Sequence, residues 1–157
     1  MSQSDKGGKY HQDDKKSGCF TTFITRMKPL VSVIMPVYNT KQWVWEAIES
    51  ILDQTFKEFE FIIVDDWSTD WSYEICEEYA KKDKRIKLYK NEKNSWVAYT
   101  KNRLIELSTT DYLASQDSDD VSTQNRLKLQ YEFLEEHKEN KHHYRRWKSY
   151  DWKGCFR

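Results

Sequence analysis

The sequence is short of glycine where a folded domain normally uses it. Four of its 157 residues are glycine, and none lies between Gly18 and Gly154. Glycine is the residue that reaches positive φ without steric strain. Turns in this long stretch must therefore use Asn, Asp or Ser, or keep φ negative.

Long apolar runs are also missing. No stretch approaches the roughly 20 apolar residues that a membrane-spanning helix requires. Residues 1–16 are polar and lack the apolar centre of a secretory signal. We therefore expect no transmembrane segment, and a cytoplasmic location is the default expectation.

An excess of charge and a cysteine framework are absent as well. Lysine plus arginine and aspartate plus glutamate number 26 each, so charge does not favour nucleic acid or an anionic membrane as a partner. The three cysteines, Cys19, Cys76 and Cys155, show no metal-ligand spacing. An odd number fits a reducing compartment better than a set of disulfides.

Composition divides the chain into three parts. Residues 1–28 are too polar to offset the entropy of ordering, which predicts a flexible tail. Residues 29–140 form the expected folded domain. Residues 141–157 are basic and aromatic without apolar periodicity, which predicts an irregular tail.

Within the expected domain, short apolar runs alternate with stretches of helical period, the pattern of an α/β fold with a mostly parallel sheet. The predicted strands are 31–35, 59–64, 86–89 and 111–115, and the predicted helices are 41–54, 70–82, 97–107 and 123–137. Pro36 is expected to end the first strand because it cannot donate to a ladder. Asp70 is expected to cap the second helix.

Acidic or turn residues follow three of the predicted strands, at 36–39, 65–66 and 117–120. Carboxyl ends of parallel strands meet at one sheet edge, where ligands bind. Carboxylates gathered there repel one another unless a cation offsets them, and Mg²⁺ or Mn²⁺ prefers oxygen ligands. A divalent metal site is one reading of Asp117–Asp120, and simple capping of the following helix is the other.

Several ordered motifs resemble family 2 glycosyltransferases. The first are VSVIMPVYN at 31–39, IESILDQTF at 48–56, and FIIVDD at 61–66 with STD at 68–70. They are followed in the family's order by NSWVA at 94–98, KN at 101–102, DYL at 111–113 and DSDD at 117–120. The resemblance covers about residues 29 to 137.

This resemblance implies a GT-A fold, a Rossmann-like α/β/α sandwich. It also implies a nucleoside-diphosphate-sugar donor, with UDP the expected nucleotide, and a divalent metal, Mn²⁺ or Mg²⁺. The residues that match the family's binding motifs are Pro36, Val37 and Tyr38 at the base and ribose, Asp66 at the base, Lys101 near the diphosphate, and Asp117 and Asp119 in the Asp-x-Asp motif. Asp119 is the expected direct metal ligand, and Asp117 is expected at the ribose or the metal shell.

The chain departs from the family at positions where the family has glycine. Trp67, Trp71, Trp96 and Leu104 stand there instead. A tryptophan forced into a left-handed conformation costs about 1 to 2 kcal/mol. The Trp67 ring adjoins Asp66, so that it either fills the base slot or stacks on the base.

A second departure is length. In the family the acceptor-binding half and the catalytic carboxylate lie beyond the Asp-x-Asp motif, so the resemblance implies a domain truncated after it, and no residue here is assigned as catalytic base. A catalytically inactive nucleotide-binding or structural remnant is therefore the alternative to a transferase with an unknown glycan, lipid or protein acceptor. A phosphoacceptor signalling domain is disfavoured because its acid pair would follow the first strand, not the second.

Overall fold

The computed structural model describes residues 28–137. The two predicted tails lie almost wholly outside these residues. The described residues therefore cover nearly all of the expected folded domain.

Four strands and four helices alternate along the chain, as the sequence pattern predicts. They are β1 (Val31–Val37), α1 (Val44–Leu52), β2 (Phe59–Asp65), α2 (Ser72–Lys82), β3 (Ile86–Lys90), α3 (Trp96–Leu107), β4 (Tyr112–Ser115) and α4 (Arg126–Glu136). The strands form one sheet in the order β3-β2-β1-β4. Each neighbouring pair is parallel, so all four carboxyl ends lie at one edge.

The sheet is covered on both faces, because side chains alternate across a strand. Val33, Met35 and Phe61 pack on one face with the buried residues of α1, α2 and α4. Ile34 and Ile62 pack on the other face against α3. The result is the α/β/α sandwich that the resemblance implies.

The expected end of β1 at Pro36 is wrong, since β1 continues to Val37 and Pro36 pairs in register with Val64. The Ile34 carbonyl accepts from the Gln116 N–H on the β4 side, whereas the Val37 carbonyl accepts from Asp66 on the β2 side. By alternation, the Pro36 nitrogen faces the β4 side. The β4 ladder ends at Ile34, so proline removes no ladder hydrogen bond there.

The starts of α1, α2 and α4 were predicted too early, whereas α3 begins one residue before its predicted start. Helix α1 begins at Val44 rather than residue 41, and α2 begins at Ser72 rather than Asp70. Trp71 takes the N-cap position of α2, and Asp70, one residue earlier, still accepts from the Ser72 N–H at 3.1 Å. Asp70 therefore accepts a hydrogen bond from the first turn of α2, but it lies one residue before the N-cap and does not occupy the N-cap position itself.

The buried carboxylate of Glu60 connects neighbouring elements near the amino ends of the strands. Glu60 is 3% exposed and accepts from Ser32 Oγ at 2.6 Å, the Thr109 N–H at 2.8 Å and Lys87 Nζ at 2.6 Å. Burial alone would raise the pKa of Glu60, but these donors outweigh it and hold the pKa below its ordinary value. Ionised Glu60 therefore stabilises the fold.

This depressed pKa gives a prediction for stability against pH. The contribution of Glu60 is present above its unfolded pKa of about 4.3 and is lost as pH falls through the lower folded pKa. Lys87→Met removes the cation, raises the folded pKa, and should lower the free energy of unfolding at pH 7 by about 1 to 3 kcal/mol, less than a fully buried pair because Lys87 is partly exposed. Urea unfolding at pH 7 and at pH 3 measures both effects. An unchanged acid sensitivity in the variant would contradict the assignment.

Candidate functional site

The carboxyl ends of β1, β2 and β4 bring the predicted acidic segments to one edge. β1 and β2 end level with each other, with Val37 in register with Asp65. The Asp66 N–H then donates to the Val37 carbonyl at 2.7 Å. β4 ends at Ser115, which pairs with Ile34, so the Asp117–Asp120 segment leaves the sheet on the other side of β1.

The loops after β1 and β2 are bonded to each other. Asn39 donates its N–H to Ser68 Oγ at 3.0 Å and accepts from the Thr69 N–H at 2.8 Å. The Lys41 N–H donates to Asp70 Oδ2 at 3.1 Å. The Ser-Thr-Asp motif therefore acts as a brace that fixes the two loops beside the site.

Asp66 lies buried at the centre of this edge, with 4% of its surface exposed. Its Oδ1 accepts from Asn91 Nδ2 at 2.6 Å and from the Ser95 N–H at 2.9 Å. These bonds fix the carboxylate and leave Oδ2, for which the described residues provide no hydrogen-bond donor. One oxygen of Asp66 is thus structural, and the other can accept from a ligand.

Sequence reasoning missed Asn91, which holds this arrangement together. Its side chain is buried, donates to both Asp66 and Thr100 Oγ1, and accepts from Arg103 Nη1. The available signal was position, because Asn91 directly follows β3 at the same sheet edge. Polar residues after β1, β2 and β4 led to the predicted site, and Asn91 occupies the equivalent position after β3.

Helix α3 connects the two acidic segments. Ser95, just before the helix, contacts Asp66, and Lys101 in its second turn lies 3.4 Å from Asp117 Oδ1. At the helical rise per residue, these contacts are on the order of 9 Å apart along the axis. Asp66 therefore contacts the start of α3 and Asp117 contacts its second turn, with the Lys101 ammonium beside Asp117.

Two buried or half-buried side chains, Gln116 and Arg126, hold the Asp117–Asp120 loop in place, and neither was predicted from the sequence. Gln116 is 1% exposed, and its Nε2 donates to the carbonyls of Asp117 at 3.0 Å and Asp120 at 2.7 Å. Arg126 Nη1 donates to Gln116 Oε1 at 2.7 Å, and Nη2 donates to the Ser115 carbonyl at 2.8 Å. The backbone of the loop is therefore fixed while its carboxylates stay outside.

The carboxylates of this loop are accessible, as metal or ligand contacts require. Asp117 and Asp119 are exposed, and Ser118 between them is buried. Among residues 28–137 there is no group of three or more metal-ligating side chains. Two carboxylates suit Mg²⁺ or Mn²⁺ bound together with substrate phosphate oxygens and water, so the residues present fit the expected metal.

Asp65, the neighbour of Asp66, has a different environment. Its side chain is fully buried, 3.9 Å from Lys90 Nζ. Burial raises the pKa of Asp65 above its ordinary value, although the Ser68 N–H bond at 3.0 Å opposes the shift. Cys76 is also buried, and burial raises the pKa of its thiol to about 12, so this cysteine packs in the core as an unreactive thiol.

The three residues predicted at the base and ribose differ in exposure. The Tyr38 ring is 48% exposed, whereas the Val37 side chain is 1% exposed within the core, so Val37 faces the site only through its backbone. Pro36, which belongs to β1, is half-buried. Tyr38 is thus the side chain of this group that a ligand can contact directly.

The three tryptophans at family glycine positions all adopt positive φ: 67° at Trp67, 76° at Trp71 and 68° at Trp96. The strain anticipated from the sequence is therefore real. Leu104, at the fourth such position, lies buried against the sheet with negative φ. Leucine at this position makes an ordinary packing contact and introduces no left-handed strain.

Comparison with known proteins decides the family. Residues 32–150 match the profile described as glycosyl transferase family 2. The chain belongs to this family. The bonded loops and the α3 link lie within the matched residues.

Curated relatives agree with this placement. The chain is 42% identical over 113 residues to the putative teichuronic acid biosynthesis glycosyltransferase TuaG of Bacillus subtilis, covering 72% of this chain and 45% of TuaG. It is 37% identical over 110 residues to glycosyltransferase GlyG of Streptococcus pneumoniae, covering 70% of this chain and 36% of GlyG. The chain thus spans less than half the length of these relatives.

Solved structures confirm the GT-A fold. Residues 1–349 of S. aureus TarS in complex with UDP superimpose with a TM-score of 0.65 at 33% identity, covering 69% of this chain and 33% of that one. The complex of TarS with UDP-GlcNAc gives the same TM-score, 0.65. The mannosyltransferase PcManGT from Pyrobaculum calidifontis, at 22% identity and a TM-score of 0.63, shares the fold. None of the helices within residues 28–137 is long and apolar enough to cross a membrane.

Proposed function

We propose that this chain binds a UDP-sugar together with a divalent metal and supplies the donor-binding half of a glycosyl transfer. The observation that carries the proposal is the α3 link, in which Ser95 at the start of the helix contacts Asp66 and Lys101 in its second turn contacts Asp117. The TarS structures in complex with UDP and UDP-GlcNAc support the donor class. The acceptor is a glycan, lipid or protein that the donor half alone does not specify.

At the nucleoside end, Asp66 accepts a hydrogen bond from the base. Its Oδ1 is already occupied by Asn91 and Ser95, so Oδ2 is the atom that meets an imide or amine N–H of the base. Tyr38, at the end of the adjacent strand, offers a half-exposed ring as a wall of the slot. Pro36 and the backbone of Val37 complete that wall.

At the diphosphate end, Asp119 and Asp117 hold the metal, and Lys101 adds a positive charge beside them. A bound Mn²⁺ or Mg²⁺ neutralises the diphosphate that leaves when the sugar is transferred. Lys101 contributes as a point charge, without the two-pronged geometry of arginine. Gln116 and Arg126 keep the loop that carries the carboxylates in place.

Tryptophan fluorescence tests this proposal. Trp67 adjoins Asp66, and Trp96 follows Ser95, so UDP with Mn²⁺ should change their emission in a saturable way. A chelator should reverse most of the effect, because the diphosphate is then held without its cation. Titration with UMP plus Mn²⁺ is the matched control and should bind more weakly. Saturable binding that is equally strong for UMP, or that ignores the chelator, would sink the proposal.

A second candidate is a nucleotide-binding remnant without turnover. The positive φ of Trp67 favours it, because a strained residue directly follows Asp66, the proposed contact of the base. The two candidates separate in an assay for release of UDP from UDP-sugar. Release above the uncatalysed rate supports a transferase, and binding without release supports the remnant.

A further inference from the structure

The backbone at Trp67, Trp71 and Trp96 is that of glycine. All three lie in the left-handed region, where a bulky residue is a genuine outlier. Asn39, with φ of 51°, is the other residue with positive φ in the described part of the chain, and asparagine tolerates this region. Apart from Asn39, every residue with positive φ in the described part of the chain is therefore a tryptophan.

The indoles gain little that would offset this strain. Trp71 is 68% exposed and Trp96 is 80% exposed, so neither side chain buries much apolar surface. Trp67 is 48% exposed, and its recorded partner is the Lys90 ammonium, 5.6 Å from the ring centroid. Trp71 also takes the N-cap position of α2 without a side-chain bond to the helix. A cap without such a bond is a role that glycine fills well.

The distribution of glycine along the sequence agrees. The chain has seven tryptophans and four glycines. All four glycines, at 7, 8, 18 and 154, fall outside residues 28–137. A parallel α/β domain with no glycine and with tryptophan at its left-handed positions is the pattern expected when glycine is replaced by tryptophan systematically.

We propose that the protein made in its own cells carries glycine at positions 67, 71 and 96, and that the codon at each is UGA, read there as glycine. UGA differs by a single base from the tryptophan codon UGG and by a single base from the glycine codon GGA. Read as tryptophan, it gives the tryptophans of this sequence. Read as glycine, it satisfies the backbone at each position.

The glycine form also changes the site, a consequence that rests on the proposed donor binding. Trp67 and Trp96 flank the two bonds that fix Asp66. Both bonds use groups outside the two indoles, so glycine leaves Asp66 in place and removes two exposed rings that are next to Asp66 and Ser95 in the sequence. The glycine form should therefore bind UDP with Mn²⁺ at least as tightly as the tryptophan form.

Mass spectrometry of the protein isolated from its own cells tests the proposal. Trypsin yields a peptide of residues 58–81, which holds positions 67 and 71, and a peptide of residues 94–101, which holds position 96. We expect fragment masses that place glycine at all three positions, and UGA at the same codons in the transcript. Tryptophan at any of the three, or a UGG codon there, would overturn it.

This test does not depend on donor binding. The peptides report residue identity whether or not the protein binds UDP. A recombinant chain with all three glycines, titrated with UDP and Mn²⁺, reports on the proposed function separately. Glycine in the peptides with no binding by that chain would reject the donor proposal and leave the decoding proposal intact.

Discussion

Replacing Trp67, Trp71 and Trp96 together by glycine should raise the free energy of unfolding by roughly 2 kcal/mol. Each tryptophan in the left-handed region destabilises the fold by about 1 to 2 kcal/mol. Glycine relieves this strain, but about 0.5 to 1 kcal/mol of the gain is lost at each position because glycine loses more backbone entropy on folding. Loss of the Lys90 contact with the Trp67 ring costs about 0.5 kcal/mol at an exposed site. The melting temperature should rise by roughly 10 °C.

The matched control replaces the same three residues by alanine. Alanine removes the indole but keeps the Cβ atom, so the left-handed strain remains and the gain should largely disappear. Trp45→Gly is a second control, because Trp45 lies within α1 and glycine inside a helix costs about 1 kcal/mol relative to alanine. If the alanine and glycine triple variants share a melting temperature that is higher than that of the parent, the strain comes from the size of the rings and not from the backbone conformation.

The architecture was predictable because it depends on patterns that are local in sequence. Runs such as 59–64 bury both faces, and the helical stretches between them force parallel strands, which bring Asp66 and Asp117 to one edge. The end of β1 was not predictable, because Pro36 is tolerated only when its nitrogen faces a ladder that has already ended. That condition depends on β4, which lies far along the chain.

The position of the acidic loop at the sheet edge could be predicted from the sequence, but the residues that support this loop could not. Asp117 and Asp119 are exposed, and their motif is contiguous. Asn91 and Gln116 act through tertiary hydrogen bonds to the backbone or to other loops, and no periodicity marks a buried amide. Residues that orient a site thus require the fold before their role is visible.

Asp119→Ala should abolish most of the metal-dependent affinity for UDP. The Asp119 carboxylate is exposed, and its loop is fixed through the backbone by Gln116, so the substitution removes a proposed metal ligand without disturbing the hydrogen bonds that hold the loop. The loss should exceed the roughly 10- to 100-fold reduction typical of removing an outer partner of a metal ligand. Isothermal titration with UDP, with and without Mn²⁺, measures the change, and thermal unfolding should be unaltered.

Asp120→Ala is the matched control for this substitution, since Asp120 is an exposed acid in the same loop. Its backbone carbonyl accepts from Gln116, and alanine keeps that bond. Removing an exposed charge worth under about 1 kcal/mol changes affinity by less than about fivefold. Equal losses in the two variants would mean that the loop attracts the cation by its general charge, whereas a loss confined to Asp119→Ala identifies a directed ligand. Unchanged Mn²⁺ dependence in Asp119→Ala would remove this residue from the metal site.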